Sequence, residues 1–185
     1  GLESRGLGDV YKRQELVPGD ARANAGIESC TENKVYIAEQ KRYVIENQTA
    51  INKPEFDMSP TFDRKGKKFY FGSSRPGSTG DDINPRSCEP YMDLWITEVD
   101  NKGNWTEPYL IKGEGINTDD DEGTLDFDSR GKLMFFTRCP NAKKQNLGCD
   151  IWMSTAKGKE EWNEPTKLEI KSHDSVSVGP VSYTH

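Results

Sequence analysis

The sequence predicts an all-β fold built from repeated four-stranded antiparallel sheets, and three observations carry that expectation. The first is an internal repeat. With Ile51-Asn52 set on Ile116-Asn117, Phe62-Asp63 falls on Phe127-Asp128, Gly66-Lys67 on Gly131-Lys132 and Phe69-Tyr70-Phe71 on Met134-Phe135-Phe136, all at a shift of 65. Asp93-Leu94-Trp95-Ile96 then matches Asp150-Ile151-Trp152-Met153 at a shift of 57, as Trp105 and Glu107-Pro108 match Trp162 and Glu164-Pro165. One loop, Gly72–Met92 against Thr137–Cys149, absorbs the difference in length. The second observation is compositional. Only 32% of residues are hydrophobic, yet 7 Phe, 7 Tyr and 4 Trp are present, which suits thin aromatic layers better than one thick core. The third is that no stretch signals a helix by a 3.6-residue apolar period.

Each repeat unit reads as four short strands. The first lies near Asp57–Phe62 and again near Glu122–Asp128. It ends in a tight turn, Asp63-Arg64-Lys65-Gly66 or Asp128-Ser129-Arg130-Gly131, whose glycine supplies the positive φ of the reversal. An aromatic second strand follows, Lys67–Ser73 or Lys132–Arg138, and then a third with Trp at its centre, Asp93–Val99 or Asp150–Thr155. A polar turn leads to the fourth strand, near Pro108–Lys112 or Thr166–Ile170. Pro108 and Pro165 belong at a strand start, where a missing N–H costs little.

Partial units flank these two. Lys34–Ala38 followed by Arg42–Glu46 reads as the last two strands of a preceding unit, and Ser175–Val181 as the first strand of a following one, with Gly179 answering Gly123. The expected divisions are 15–52 for the end of one blade, 53–115 and 116–174 for two blades, and 175–181 for the start of another. Four-stranded sheets recurring at this period are the mark of a β-propeller. A two-sheet sandwich with accidental internal similarity is the runner-up.

Gly1–Gln14, GLESRGLGDVYKRQ, resembles translated sequencing-adaptor sequence at the ends of open reading frames from metagenome assemblies. Residues 182–185 resemble the start of its counterpart. Both are set aside from fold reasoning, which makes residues 15–181 an internal slice of a longer protein. A net charge of −6 and a pI near 5.1 argue against nucleic acid as a partner, since phosphate contacts need a basic face. No apolar run is long enough for a membrane-spanning helix.

The segments Phe56-Asp57-Met58-Ser59-Pro60-Thr61-Phe62-Asp63-Arg64-Lys65-Gly66-Lys67 and Phe127 to Thr137 resemble the TolB-type propeller repeat, roughly F-S-P-D-G-K followed by a short apolar strand and Ser/Thr. Two departures stand out. Leu125 replaces the proline in the second copy, and basic residues stretch the Asp-Gly step. Ile-Asn-Thr-Asp-x-x-Glu-Gly, Phe-Phe-Thr-Arg-Cys, Gly-Cys-Asp-Ile and Trp-x-Glu-Pro resemble a narrower group. These are cell-envelope proteins of Bacteroidetes-type bacteria, some joined to an OmpA-like peptidoglycan-binding domain, the PorE component of type IX secretion among them. The resemblance covers about Lys34 to Val181. It implies a periplasmic or outer-membrane-associated module that contacts other envelope proteins.

Candidate site residues are few. Cys139 and Cys149 flank the loop between two strands expected to pair, so they form the favoured disulfide; Cys30 and Cys88 are a weaker pair. No C-x-x-C spacing occurs and only two His are present, which disfavours a zinc site. A disulfide favours an oxidising compartment. Asp119, Asp120, Asp121 and Glu122 are a low-odds cation site, because adjacent carboxylates on a strand point in alternate directions. They read better as a solvated connection between units.

The aromatics Trp95, Trp105, Trp152, Trp162, Phe71 and Phe136 recur at equivalent positions and read as blade packing rather than a sugar platform. No G-x-S-x-G elbow occurs, and the paired carboxylates have no distinguishing context, so no catalytic residue and no cofactor is assigned. The expected function is a non-catalytic protein-interaction propeller. The alternatives are the propeller part of a peptidase or glycan-active enzyme, and a carbohydrate- or calcium-binding propeller.

Overall fold

A computed structural model describes residues 12–13, 15–39, 44–85, 87–141, 147–158, 160–174 and 176–180. The chain divides into two units, Gly1–Glu46 and Asn47–His185.

The first unit holds helix α1, Ala21–Ala38. Asp20 caps it, its Oδ1 accepting the backbone N–H groups of Arg22 and Ala23 at 3.0 Å each. The Arg13 guanidinium, 2.9 Å from Asp20, holds that carboxyl down at about 2. This helix overturns the strand expected at Lys34–Ala38. Val35-Tyr36-Ile37 carries strand propensity, but that preference depends on a pairing partner, whereas the Asp20 cap and Ala21, Ala23 and Ala25 propagate a helix locally. Of the expected partner strand, Arg42 and Tyr43 lie outside the described residues, and Val44–Glu46 is not in a strand.

The second unit is two antiparallel sheets. Sheet 1 runs β1 (Asp57–Phe62), β2 (Lys68–Ser73), β3 (Asp93–Glu98) and β4 (Tyr109–Leu110), in that spatial order. Sheet 2 runs β5 (Asp121–Phe127), β6 (Leu133–Cys139) and β7 (Asp150–Lys157), with β8 (Glu161–Trp162) and β9 (Thr166–Lys167) both paired to β7. The first three strands of each full repeat fall where the alignment puts them, and the short β4 and β9 lie within the expected fourth strands, but β8 is an added pairing. Residues 176–180, expected as the first strand of a following unit, are not in a strand, because among the described residues they have no strand beside them to complete a ladder.

Equivalence extends below the level of strands. Both first pairings carry a register shift at the same place, between Met58 and Thr61 and between Gly123 and Asp126. In each, a non-glycine residue takes positive φ there, Ser59 at 53° and Thr124 at 31°. In both turns an aspartate oxygen accepts two backbone N–H groups, Asp63 from Lys67 and Lys68, Asp128 from Lys132 and Leu133. Thr97 and Ser154 each donate a hydroxyl to the chain returning from the third strand, at the carbonyls of Thr106 and Asn163.

The main core lies between the sheets. Tyr70, Leu94, Ile96 and Ile111 of the first repeat meet Leu125, Met134, Phe136 and Trp162 of the second. A smaller cluster, Ile51, Phe71 and Trp95, covers the other face of sheet 1, with Phe69, Trp105 and Leu110 half-buried beside it.

Candidate functional site

The first feature is a buried arginine in each repeat, which the alignment conceals. Arg138 lies at the end of β6. Its Nε donates to Glu122 Oε1 at 2.7 Å and its Nη2 to the Ile116 carbonyl at 3.2 Å. Its guanidinium lies over Trp152, 4.4 Å from the ring centre. Arg75 makes the same set, donating through Nη2 to Asp57 Oδ1 at 2.7 Å and to the Ile51 carbonyl at 2.8 Å, and lying over Phe71 and Trp95. At the repeat shift Arg138 aligns with Ser73, not Arg75, so only the acids and aromatics point to it in sequence.

The second feature is the end of the sheets where the long loops emerge. The β2–β3 loop of sheet 1, the acidic connection and the β6–β7 loop of sheet 2 are tied together there. Tyr91 Oη donates to Asn141 Oδ1 at 2.6 Å, and Asn141 donates its backbone N–H to Asp120 at 2.8 Å and its side-chain amide to Asp82 at 3.2 Å. Asp121 accepts from the Met92 amide at 2.9 Å and from the Asn84 side chain at 3.2 Å. The disulfide Cys139–Cys149 closes the β6–β7 loop. The weaker pair does not form: Cys30, within α1, and Cys88 are both free.

The acidic run is therefore not a uniformly solvated connection. Asp119 is exposed, Asp120 and Asp121 are half-buried, and Glu122 is fully buried at 0% exposure. Glu122 accepts from the Thr118 hydroxyl and amide as well as from Arg138. Burial pushes its carboxyl up to about 7, against the pull of Thr118 and Arg138. Burial also raises Asp93, whose Oδ2 accepts the Thr79 amide while Oδ1 is buried without a hydrogen-bond partner. Among the described residues no three His, Cys, Asp or Glu side chains gather to hold a metal ion.

Comparison of the chain with family models, curated proteins and solved structures finds no match.

At the opposite end, where the β1–β2 and β5–β6 turns lie, a cleft of about 690 Å³ opens between the sheets. Tyr70, Phe127 and Trp162 line it. Phe127 sits edge-on to Tyr70 at 4.7 Å and stacks on Trp162 at 5.5 Å. Asp63 and Asp128 at its rim are occupied by the turn amides. Phe71, Phe136, Trp95 and Trp162 are buried, and Trp105 and Trp152 are half-buried. The cleft was not legible in sequence, because it depends on the spacing of two sheets rather than on any motif.

Among the described residues, no helix is long and apolar enough to cross a membrane.

Proposed function

We propose that this chain is a slice of a TolB-like β-propeller serving as a non-catalytic protein-interaction module of a bacterial envelope or type IX secretion-associated protein. One observation supports the stacking above all: the joint between units occurs twice. Where sheet 1 meets sheet 2, Glu122 N–H donates to the Met92 carbonyl and Met92 N–H to Asp121. Where sheet 2 meets residues 176–180, Val178 N–H donates to the Cys149 carbonyl and Cys149 N–H to the Ser177 hydroxyl. Gly72 and Gly123 approach closely at the first joint, and Thr137 and Gly179 do so at the second.

The working surface on this reading is the loop end. There the β2–β3 loop is cross-tied to Asn141 and a disulfide closes the β6–β7 loop, and exposed Asp81, Asp82 and Asp119 beside them offer acid groups to a basic patch on an envelope partner. A photo-crosslinking residue at exposed Ile83 in periplasm-competent cells should give an adduct with a defined envelope protein, and one at Ser129 in the opposite turn should not. Equal labelling from both positions, or none from Ile83, rejects the reading. The aromatic-floored cleft favours a second reading, carbohydrate binding, for which calorimetry with envelope glycans should show saturable heat that Trp162→Ala abolishes.

A further inference from the structure

One buried polar atom of the cleft has no use within the protein. Tyr70 lies in β2, its ring edge-on to Phe127 at 4.7 Å, and it is only 8% exposed. Among the described residues its hydroxyl makes no hydrogen bond. Tyr109, which also lines the cleft, differs: its hydroxyl donates to Glu98 Oε1 at 2.6 Å. Burial raises the Tyr70 hydroxyl above the usual phenol range, and the charges of Asp63, Glu98 and Glu160 add to the shift. Asp63 and Glu160 stand on the cleft wall, so the hydroxyl faces the cleft. A hydroxyl held this deep without a partner is costly, and its natural complement is a polar group brought in by a ligand. Both walls belong to this chain, the first repeat supplying Tyr70, Ile96 and Ile111 and the second Phe127 and Trp162.

Three features narrow what can occupy the cleft. Among the described residues five basic and five acidic side chains line it, so the lining carries no net charge and steers neither an anion nor a cation. The turn amides at its rim are spent, those of Lys67 and Lys68 on Asp63 and those of Lys132 and Leu133 on Asp128. They offer no open ladder for an added peptide strand. The floor is aromatic, with Phe127 stacked on Trp162 at 5.5 Å beside Tyr70. Aromatic rings below and balanced charges above suit a neutral polyhydroxyl ligand, whose C–H faces lie on the rings while its hydroxyls bond to the rim. We infer that the cleft binds a neutral saccharide, one sugar hydroxyl being hydrogen-bonded to the Tyr70 hydroxyl. The inference rests on the carbohydrate reading of the cleft given above, and adds the charge class of the glycan and the atom that orients it. The Tyr70 hydroxyl both donates and accepts, so it meets a sugar alcohol in either sense.

Calorimetry on the 185-residue chain tests this with hexasaccharides of glucose, mannose and N-acetylglucosamine as neutral probes and of galacturonic acid as the acidic probe. At least one neutral probe should bind with a dissociation constant below about 1 mM, and the galacturonate probe should not. Tyr70→Phe keeps the ring and removes only the hydroxyl. It should weaken that binding about tenfold and leave the thermal melt of the free chain unchanged, because the hydroxyl has no protein partner to lose. Galacturonate binding, alone or as tightly as the neutral probes, overturns the neutral class while upholding the carbohydrate reading. Unchanged affinity in Tyr70→Phe, or a lowered melt, overturns the assignment of that hydroxyl to the ligand. No heat from any of the four probes overturns the carbohydrate reading and the inference together.

Discussion

Arg75 and Arg138 reach equivalent partners in the two sheets, yet the surroundings differ. Asp57, the partner of Arg75, has a side chain 16% exposed, whereas Glu122, the partner of Arg138, is at 0%. The acids that open the third strands differ too. Asp93 is buried at the joint with the next repeat. Asp150 is instead neutralised within its own repeat by Lys171 and Lys167, at 3.0 and 3.2 Å. The carboxylate at the joint between the sheets, Glu122, is thus drier than its equivalent Asp57, and Asp93 at the same joint is fully buried as well. The same plan of side chains has different energetics according to its place in the stack.

The sharpest way to break this comparison is to remove the arginines one at a time. Arg138→Met leaves Glu122 buried without its cation and two backbone carbonyls without a donor, and should cost about 3–5 kcal/mol in urea unfolding. Arg75→Met should cost about 2 kcal/mol, because Asp57 retains some contact with water. Equal costs would show that the two posts are energetically the same and that depth is irrelevant.

The next difference lies in the loops. The β6–β7 loop is closed by Cys139–Cys149, whereas the longer β2–β3 loop is held by internal hydrogen bonds, among them Asn84 N–H to the Glu89 carbonyl at 2.8 Å. Reduction, or Cys139→Ser with Cys149→Ser, should lower stability by about 2–3 kcal/mol, as expected for a loop of this length. Cys88→Ser should change stability by less than about 0.5 kcal/mol, since that thiol is free and exposed. Differential scanning calorimetry with and without reductant reads both, and a reductant-insensitive melt would show that the crosslink holds no part of the fold.

Much of this comparison was legible in the residues, for physical reasons that also mark where reading fails. Strands and turns were readable because each depends on local chemistry: Phe69-Tyr70-Phe71 alternates faces, and Asp63 and Gly66 make a turn unaided. The disulfide was readable because pairing strands bring its ends together. The arginines were not, since Arg75 reaches its site from beyond the end of β2 while Arg138 reaches the same site from within β6. Helix α1 was hidden by Val35-Tyr36-Ile37, whose apparent strand character lacks a partner to realise it. The acidic run looked uniform, but burial depends on which acid meets Arg138, a contact 16 residues away.

Glu122 also makes the comparison dependent on pH. Its carboxyl titrates at about 7 in the folded chain against about 4.5 when unfolded. Below about 4.5 both states hold the proton, and between the two values only the folded state does. Stability therefore falls as pH rises from about 4.5 to about 7 and levels off above that. The loss from this group is on the order of 3 kcal/mol. Asp93 and Asp121 are raised by burial and act in the same direction, so Glu122→Gln should flatten the decline without abolishing it. Denaturant midpoints at pH 5 and pH 7.5 test this, and an unchanged slope in the variant would remove Glu122 as its source.

The smallest expected effect tests the sameness of the repeats rather than their difference. Gly66 and Gly131 close equivalent turns at φ of 63° and 66°, and a Cβ at either position would meet nothing within 4 Å. Replacing either with alanine therefore introduces no clash. The cost is that of holding an L-residue in the left-handed region, about 1 kcal/mol, partly offset by the reduced freedom of the unfolded chain. Both turns lie at the exposed end of their sheets, away from the charge posts whose depth differs. Gly66→Ala and Gly131→Ala should then shift the urea midpoint equally, within about 0.3 kcal/mol. A clear inequality would mean that the two sheets differ even in backbone geometry, and that the contrast between Arg75 and Arg138 reflects unlike folds rather than one fold at two depths.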